Sequence, residues 1–571
     1  VKLATGGHLK FKPPKCGYFH NTRKRTLKIN INNEPITAVD AENTYKYLGV
    51  PHGSPKRQSI SGITEKVIRD YEIILKSRLN MRQKIEVYKT FLAPRFIYAF
   101  RTFNIPIQSL YSCRGKQPEG EKHSGGFDPT LSRMIKKELN LPAACTFQFI
   151  YALKKDGGLG LVATYEELMI QNVNQLFSIF NSEDPAIRTV SRNELIAIVK
   201  KRHTNDVVVD IHAAMKWLCS ISIGTKKPTS HIPASWWTRI QKSIERAKKF
   251  GITITPAMNG DDLALEIIYN RNDKPVQIRN VNIKNRSNLC SFLHEVFGTY
   301  HNDKWKSKTY QGAMFPCFSI SDYSMLVMKE HDVPDDLYRF AIMARLNCIR
   351  LACTSGRFFN DTIRNCRRCV EDYNPSNGRS WKETQAHVFQ HCKFNETLRN
   401  RRHDMIAETL HKVLLDHGID AELEAYAHEI NVPQRPDIIV RTKNCNYLID
   451  IKSPYDRIKN FDEARTLNEA KYKDMASDMQ TSTQKTCIVK TFVVGALGSW
   501  DPRNTEILNR LGIPETSITN MARTMTIQSL KDSLYIFRRH IVMRSLQSQA
   551  FAEQEAQIED EGVGTVGEEE A

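Results

Sequence analysis

Long apolar segments are missing from this 571-residue sequence. No stretch approaches the roughly 20 apolar residues that a membrane-spanning helix needs, so we expect no membrane partner. A dense group of cysteines is missing too, because the 13 in the chain are mostly scattered singly. This distribution argues against a disulfide scaffold and predicts reduced thiols, most of them buried as small apolar residues.

Acidic residues are in the minority. The chain has 82 Lys and Arg against 63 Asp and Glu, a formal net charge of +19. Residues 551–571 hold eight acids and no Lys or Arg, so the preceding chain is more basic than the total suggests. A surplus of this sign favours a polyanionic partner, and nucleic acid is the first candidate.

Two short apolar runs near residue 440 carry the pattern with the clearest chemistry. Residues 438–440 and 447–451 are separated by a polar turn, which predicts a β-hairpin. The hairpin would bring Asp437, at the start of the first strand, close to Asp450 on the second. Two carboxylates in a basic protein suit Mg²⁺, because this ion prefers hard oxygen ligands and retains several waters.

Lys452 follows Asp450 by two positions and would lie on the same face, because side chains alternate along a strand. There it could hold a metal-activated water or offset charge on a scissile phosphate. This is the pattern of a restriction-type nuclease. The alternative is a surface hairpin with ordinary charges, since Pro-Asp before a strand is common.

A cysteine–histidine pattern precedes the hairpin. Cys366 and Cys369 form C-x2-C, and His387 and Cys392 form H-x4-C. Four such ligands suit tetrahedral Zn²⁺ with no position left for substrate, which predicts a structural zinc knuckle.

Three other residues compete for this predicted zinc site. His391 could replace Cys392 as the fourth ligand, and Cys348 and Cys353 lie close enough upstream to enter the site. These alternatives stay open at the level of the sequence.

The order of the motifs is more specific than any one of them. The N-terminal motifs are Leu9 to Cys16, Tyr45 to Gly49, a helical stretch over 82–103 and Asp156-Gly157-Gly158-Leu159-Gly160, and Arg401-Arg402-His403 follows the knuckle. The series resembles the C-terminal half of the polyproteins of site-specific non-LTR retrotransposons with a restriction-like endonuclease, the class that includes the rDNA-inserting R elements. In this resemblance the N-terminal motifs correspond to the end of the reverse-transcriptase palm and to its thumb.

The resemblance implies a multidomain α+β protein with a helical thumb and linker, a small zinc knuckle and an α/β restriction-like PD-(D/E)xK nuclease. The implied segments are a palm remnant (1–57), the thumb (58–165), a helical linker (166–340), the CCHC knuckle region (341–405) and the endonuclease (406–545). The acidic tail (546–571) has no obvious counterpart in the family, and its composition predicts disorder. The chain begins in mid-pattern at Val1, so we expect a fragment without the polymerase's catalytic aspartates.

The resemblance also implies roles for the nuclease residues. Asp437 and Asp450 would bind Mg²⁺, and the family's lysine often lies on a later helix, here expected over 461–480. Lys471 and Tyr472 on that stretch resemble the family's lysine–tyrosine pair, with Tyr472 packing or orienting the helix. The catalytic lysine is therefore Lys471 by resemblance or Lys452 by strand geometry.

In intact family proteins the nuclease nicks target DNA, and the freed 3′ hydroxyl primes reverse transcription of the element's RNA. Target DNA and element RNA are thus the expected partners, the nucleus is the expected compartment, and the number of subunits stays open. A rival hypothesis is a non-catalytic nucleic-acid-binding remnant of a decayed or domesticated element. An independent restriction-type enzyme would leave the thumb-like half unexplained.

Overall fold

The computed structural model describes residues 60–103, 126–203, 208–224, 235–354, 365–369, 381–430 and 432–561, with short stretches between residues 12 and 52 and the single residues 105 and 110. The protein is mixed α+β and divides into two compact units. The first comprises residues 1–132 and 161–300, and the second comprises residues 133–160 and 301–571.

Short strands precede residue 60. They are β1 (Gly17–Tyr18), β2 (Asn30–Ile31), β3 (Glu34–Pro35), β4 (Thr37–Ala38), β5 (Tyr45–Tyr47) and β6 (Val50–His52). β1 pairs with β4 in parallel, and β2–β3 and β5–β6 are antiparallel pairs. Most of the predicted Leu9 to Cys16 motif, together with Leu48 and Gly49, lies outside the described residues.

Helices dominate the chain from residue 61 to residue 250. They are α1 (Ser61–Lys76), α2 (Met81–Val87), a π-helical turn (Tyr88–Leu92), α3 (Pro94–Thr102), α4 (Phe127–Glu138), α5 (Gln148–Tyr151), a 3-10 turn (Lys154–Asp156), α6 (Thr164–Phe180), α7 (Pro185–Arg202), α8 (Ile211–Leu218), α9 (Trp236–Ala247) and a 3-10 turn (Lys248–Phe250). The predicted helical stretch over 82–103 is interrupted. Pro94 has no N–H to donate to the preceding turn, and the ladder passes through the π-helical turn just before it.

The segment predicted as a helical linker contains a sheet, which corrects that prediction. Residues 252–281 form β7 (Ile252–Asn259), β8 (Asp262–Arg271) and β9 (Lys274–Val281), an antiparallel sheet in the order β7-β8-β9. The β8–β9 turn uses Asn272 and Asp273, both with positive φ, and Gly260 with φ +62 opens the β7–β8 turn. Turns of this kind match the twist of antiparallel strands and therefore favour hairpins.

The remaining helical elements precede the four-stranded sheet of the second unit. They are a 3-10 helix (Ile283–Asn288), α10 (Leu289–Lys306), α11 (Phe315–Ser319), a 3-10 turn (Asp322–Met325), α12 (Leu326–Lys329), α13 (Asp335–Arg345), a π-helical turn (His387–His391), a 3-10 turn (Lys393–Asn395) and α14 (Glu396–Asp416). No helix in the described part of the chain combines the length and the apolar character required to cross a bilayer.

The second unit contains a four-stranded sheet in the order β10-β11-β12-β13. Its elements are β10 (Asp420–Leu423), β11 (Ile438–Arg441), β12 (Cys445–Lys452), α15 (Ile458–Lys471), α16 (Lys473–Thr483), β13 (Thr486–Val493), α17 (Pro502–Arg510) and α18 (Glu515–Glu561). β10, β11 and β12 are antiparallel neighbours, and β13 runs parallel to β12. The predicted hairpin over 438–451 is confirmed.

Both faces of this sheet are covered by helices. Ile449 and Ile451 pack into a cluster with residues of α14, α17 and α18, whereas Leu448 packs with Tyr472 and Met475. Alternation along β12 sends neighbouring residues to opposite layers. The sheet is therefore the middle of three layers.

Two predictions about helices in this unit need correction. The helix expected over 461–480 is two helices, because the backbone leaves helical geometry at Tyr472 (φ −106, ψ 9). The tail expected to be disordered from residue 546 is helical as far as Glu561, since α18 runs for 47 residues.

Candidate active site and metal centre

The β11–β12 register places Asp437 beside the C-terminal part of β12. Ile438 lies opposite Ile449, so Asp437 precedes the first paired residue and faces the Asp450–Ile451 peptide. Oδ2 of Asp437 accepts a hydrogen bond from the Ile451 amide at 2.5 Å. The Asp437 side chain keeps 18% of its surface exposed, whereas that of Asp450 keeps 3%. The two carboxylates thus lie at the floor of one partly open site.

Three further side chains predicted for this site contact Asp450. The Tyr472 hydroxyl lies 2.9 Å from Oδ1 of Asp450 and donates to it. Lys452 forms an ion pair with Oδ2, which confirms that residues 450 and 452 lie on one face of β12. Lys471 donates to the Tyr472 hydroxyl oxygen at 2.7 Å, and its Nζ lies 4.0 Å from Oδ1 of Asp450. The structure brings all five predicted residues together, and their catalytic roles stay predictions.

The break between α15 and α16 explains how Tyr472 reaches the carboxylate. The whole Tyr472 side chain is buried, and it packs beneath Ile439 and Leu448. Burial and the neighbouring Asp450 carboxylate raise the pKa of Tyr472 far above its ordinary value. The hydroxyl therefore stays protonated and can act as a fixed hydrogen-bond donor.

His403 also belongs to this site, and the sequence did not assign it there. Nε2 of His403, on α14, lies 3.2 Å from Oδ2 of Asp437. The hydrogen bond to Asp437 raises the pKa of His403 to about 9. Burial acts to raise the pKa of Asp437, but His403 and the Ile451 amide outweigh it and hold that pKa below its ordinary value. His403 stands 34 residues before Asp437, so no local spacing links the two.

The neighbouring residue on α14 points elsewhere. Arg402 is buried and donates from Nη1 to the Ser533 hydroxyl at 2.9 Å and from Nη2 to the Phe389 carbonyl at 3.1 Å. Ser533 belongs to α18, and Phe389 lies in the turn that carries His387. α14 therefore connects the carboxylate site with the knuckle.

The carboxylate site fits a hard divalent cation. Its donors are the oxygens of two carboxylates, of which Asp437 is partly exposed and Asp450 is buried. The ion pair between Lys452 and Asp450 shows that a cation can lie next to Asp450. Such a site, open on one side, can retain water on the ion and admit a phosphate.

The four residues predicted as zinc ligands converge in a buried cluster. The ligand atoms of Cys366, Cys369, His387 and Cys392 all lie within 4.8 Å of one another. Sγ of Cys369 is 3.5 Å from Nε2 of His387 and 3.8 Å from Sγ of Cys392. A tetrahedral zinc ion with bonds of about 2.3 Å to sulfur and about 2.0 Å to nitrogen holds its ligand atoms about 3.5–3.8 Å apart. The cluster therefore fits a metal ion such as zinc.

The competing ligands do not join this cluster. Cys392 supplies the fourth position, whereas His391 is exposed. Sγ of Cys348 lies 3.7 Å from Sγ of Cys145 instead. Among the described residues, Cys353 does not belong to either cluster of potential metal ligands.

A second group of polar residues, which no spacing in the sequence predicted, surrounds Cys366. Cys366, Glu383 and His540 also form a cluster of potential ligand atoms, all of them buried. Arg367 donates from Nε and Nη2 to the two oxygens of Glu383 at 2.6 and 2.8 Å. Burial opposes ionisation of Glu383, but hydrogen bonds from His540, Arg367 and the Ala352 amide lower its pKa to about 2. His540 lies on α18, far along the chain from the knuckle.

Comparison with known proteins gives partial matches. No protein-family model matches the chain. Over 193 residues, 33% of this chain, it is 27% identical to an uncharacterized protein of Caenorhabditis elegans, and the match covers 52% of that protein. Over 136 residues, 24% of this chain, it is 28% identical to a retrovirus-related Pol polyprotein from the type-1 retrotransposable element R2 of Popillia japonica, and the match covers 20% of that polyprotein.

The chain thus spans about half of the first relative and a fifth of the second. The similarity to the polyprotein, although weak, supports a retrotransposon-related origin.

Proposed function

We propose that this chain is a retrotransposon polyprotein fragment whose second unit is an Mg²⁺-dependent DNA endonuclease of the restriction-like PD-(D/E)xK type. The observation that carries the proposal is the convergence of Asp437, Asp450 and Lys452 on one hairpin. The partial similarity to an R2 polyprotein supports the origin, and the basic charge of the chain supports a nucleic-acid partner.

In this proposal Asp437 and Asp450 hold Mg²⁺. The bound ion would polarise the scissile phosphate and lower the pKa of a coordinated water. The Ile451 amide and His403 hold Asp437, and the Tyr472 hydroxyl holds Asp450. Both carboxylates are thus oriented before any substrate binds, which is where preorganised electrostatics contributes most.

The two lysines have complementary positions in this mechanism. Lys452 contacts Asp450 directly, whereas Lys471 contacts the Tyr472 hydroxyl and stands farther from the carboxylate. We propose Lys452 as the residue that positions the attacking water or offsets phosphate charge. Lys471 would then support Tyr472 and the charge balance of the site.

The knuckle residues are proposed to bind Zn²⁺ in a structural role. Four buried protein ligands leave no position for a water or a substrate, which is typical of structural zinc. In the intact polyprotein, the nuclease would nick target DNA in the nucleus to prime reverse transcription of the element's RNA. The polymerase aspartates would lie outside this chain, and the thumb and linker would contribute phosphate contacts.

The second candidate function is a nucleic-acid-binding remnant without catalysis. The basic composition favours it as much as it favours the nuclease, since charge alone supplies non-specific binding. The arrangement of two carboxylates beside two lysines favours the nuclease, because a site that only binds a polyanion does not need two aspartates among its lysines.

The test is a nicking assay on supercoiled plasmid with Mg²⁺, using the full chain and the double variant Asp437→Ala, Asp450→Ala. A control double variant, Asp474→Ala, Asp478→Ala, removes two exposed acids from α16 and leaves the site intact. We expect nicking by the parent and the control and none by the first variant.

Nicking that survives in the site variant would refute the proposed active site. Absence of nicking by the parent, with salt-sensitive DNA and RNA binding intact, would favour the binding remnant.

A further inference from the structure

We infer that His540 is a positioning residue of the knuckle's metal centre, donating an N–H hydrogen bond to the Cys366 thiolate from the C-terminal helix. Nε2 of His540 lies 3.8 Å from Sγ of Cys366 and 2.9 Å from Oε1 of Glu383. The side chains of His540 and Glu383 are fully buried. This inference does not depend on the proposed nuclease activity.

The neighbours of His540 determine which ring nitrogen carries the proton. Nδ1 of His540 lies 3.3 Å from Nδ2 of Asn395, an amide nitrogen that can only donate. Nδ1 is therefore the acceptor, and Nε2 bears the hydrogen in the neutral ring. That single hydrogen is shared in a three-centre bond, in which Oε1 of Glu383 at 2.9 Å is the shorter arm and Sγ of Cys366 at 3.8 Å is the longer one.

Glu383 fixes the orientation of this donor. Its oxygens accept from Arg367 at 2.6 and 2.8 Å and from the Ala352 amide at 2.6 Å. Arg367 lies inside the Cys366–Cys369 turn, so the carboxylate joins the metal-binding turn to the histidine. Because Glu383 accepts from the same Nε2–H that approaches Cys366, the carboxylate keeps the ring turned toward the ligand sulfur.

His540 is better suited to the outer shell than to the metal itself. Cys366, Cys369, His387 and Cys392 already provide the four ligands of a closed tetrahedral site. Three thiolates around a divalent ion leave one surplus negative charge, and burying a charge is costly without hydrogen bonds. An N–H from His540 to a ligand sulfur offsets that charge.

The C-terminal helix α18 links the knuckle's metal centre to the core of the sheet. α18 contributes Ile518, Met521 and Met525 to the core beneath the sheet and His540 to the knuckle. Binding of the metal and docking of the C-terminal helix should therefore stabilise one another.

The test uses the full chain loaded with Co²⁺ in place of Zn²⁺, with His540→Leu, His540→Gln and Ile536→Ala as variants. Ile536 is buried on the same helix, one turn before His540, and serves as a control for packing. The readouts are the thiolate-to-cobalt charge-transfer absorption and the metal affinity in competition with a chromophoric chelator.

We expect His540→Leu to shift the charge-transfer band to longer wavelength, because the sulfur loses a hydrogen bond. The affinity should fall roughly 10-fold or more, as for other outer-shell residues. His540→Gln, which keeps an N–H donor, should recover part of both changes. Ile536→Ala should lower the thermal midpoint without moving the band.

An unchanged band and affinity in His540→Leu would overturn the inference. So would equal band shifts in His540→Leu and Ile536→Ala, because helix packing would then account for the effect.

Discussion

The two candidate metal sites of the second unit differ in closure and in the origin of their residues. The knuckle is buried, and its four ligands lie between residues 366 and 392. The carboxylate site is partly open and combines residues of α14, β12 and the α15–α16 break with Asp437. A closed site of soft ligands suits structure, and an open site of hard ligands suits exchange of water and substrate. Metal at the first site should matter for folding, and metal at the second for chemistry.

Removal of zinc should produce the largest effect and test this division most severely. Structural zinc contributes on the order of 10 kcal/mol to the folding of small zinc domains. We expect a zinc-selective chelator to lower the thermal unfolding midpoint of the full chain strongly. The isosteric variant Asp437→Asn, Asp450→Asn should shift it far less, since it keeps the shape of the site.

Thermal unfolding of both samples, followed by circular dichroism, checks the expectation. Equal shifts of the unfolding midpoint would mean that metal at the knuckle contributes no more to stability than the carboxylate site does.

Replacement of the lysines should have the next largest effect and would show which lysine acts at the carboxylate site. Lys452→Met removes the cation in contact with Asp450. Loss of one preorganised electrostatic contact commonly lowers a rate by about 10²–10³-fold, and we expect a loss of that size in nicking. Lys471→Met should reduce nicking less, because its ammonium group stands 4.0 Å from the carboxylate. A larger loss in Lys471→Met would assign the catalytic role to the helix instead of the strand.

Removal of the Tyr472 hydroxyl should have a smaller effect on stability and a selective effect on activity. Tyr472→Phe deletes the donor to Asp450, and Tyr455→Phe deletes a buried hydroxyl that bonds Gln385 at 3.2 Å. Each should cost about 1 kcal/mol in the free energy of unfolding, measured in urea. Only Tyr472→Phe should slow nicking. Equal nicking rates would show that the Asp450 contact is structural.

Replacement of His391 should have the smallest effect. Its side chain is exposed, and Cys392 occupies the fourth position of the knuckle. We expect His391→Ala to retain one zinc per chain with an affinity near that of the parent. Cys392→Ala should lose the metal under the same conditions, and metal content after dialysis distinguishes the two.

The sequence allowed prediction of the parts that depend on local patterns. The C-x2-C and H-x4-C spacings predicted four residues that do converge, and two apolar runs around a polar turn predicted the hairpin. His403 and His540 escaped prediction because long-range packing, rather than spacing, brings them to their sites. The Tyr472 break escaped as well, since no Gly or Pro marks it in the sequence.

The sheet of β7, β8 and β9 could have been found from the sequence. Gly260-Asp261 between two alternating runs is a hairpin signal with Gly at the first turn position, and Asn272-Asp273 is a second two-residue turn. The positive φ values of Gly260, Asn272 and Asp273 are tolerated by these residue types. The resemblance implies a helical linker over 166–340 instead.

The directions in which Arg402 and His403 project from α14 limit where residues can be inserted into this helix. Adjacent residues on an α-helix project about 100° apart, which lets Arg402 face the knuckle side while His403 faces Asp437. Insertion of a single residue before this pair would rotate both away from their partners at once. Ile406, Leu410 and Leu414 of the same helix pack into the core of the sheet. The helix should therefore tolerate additions only after Leu414, at its C-terminal end.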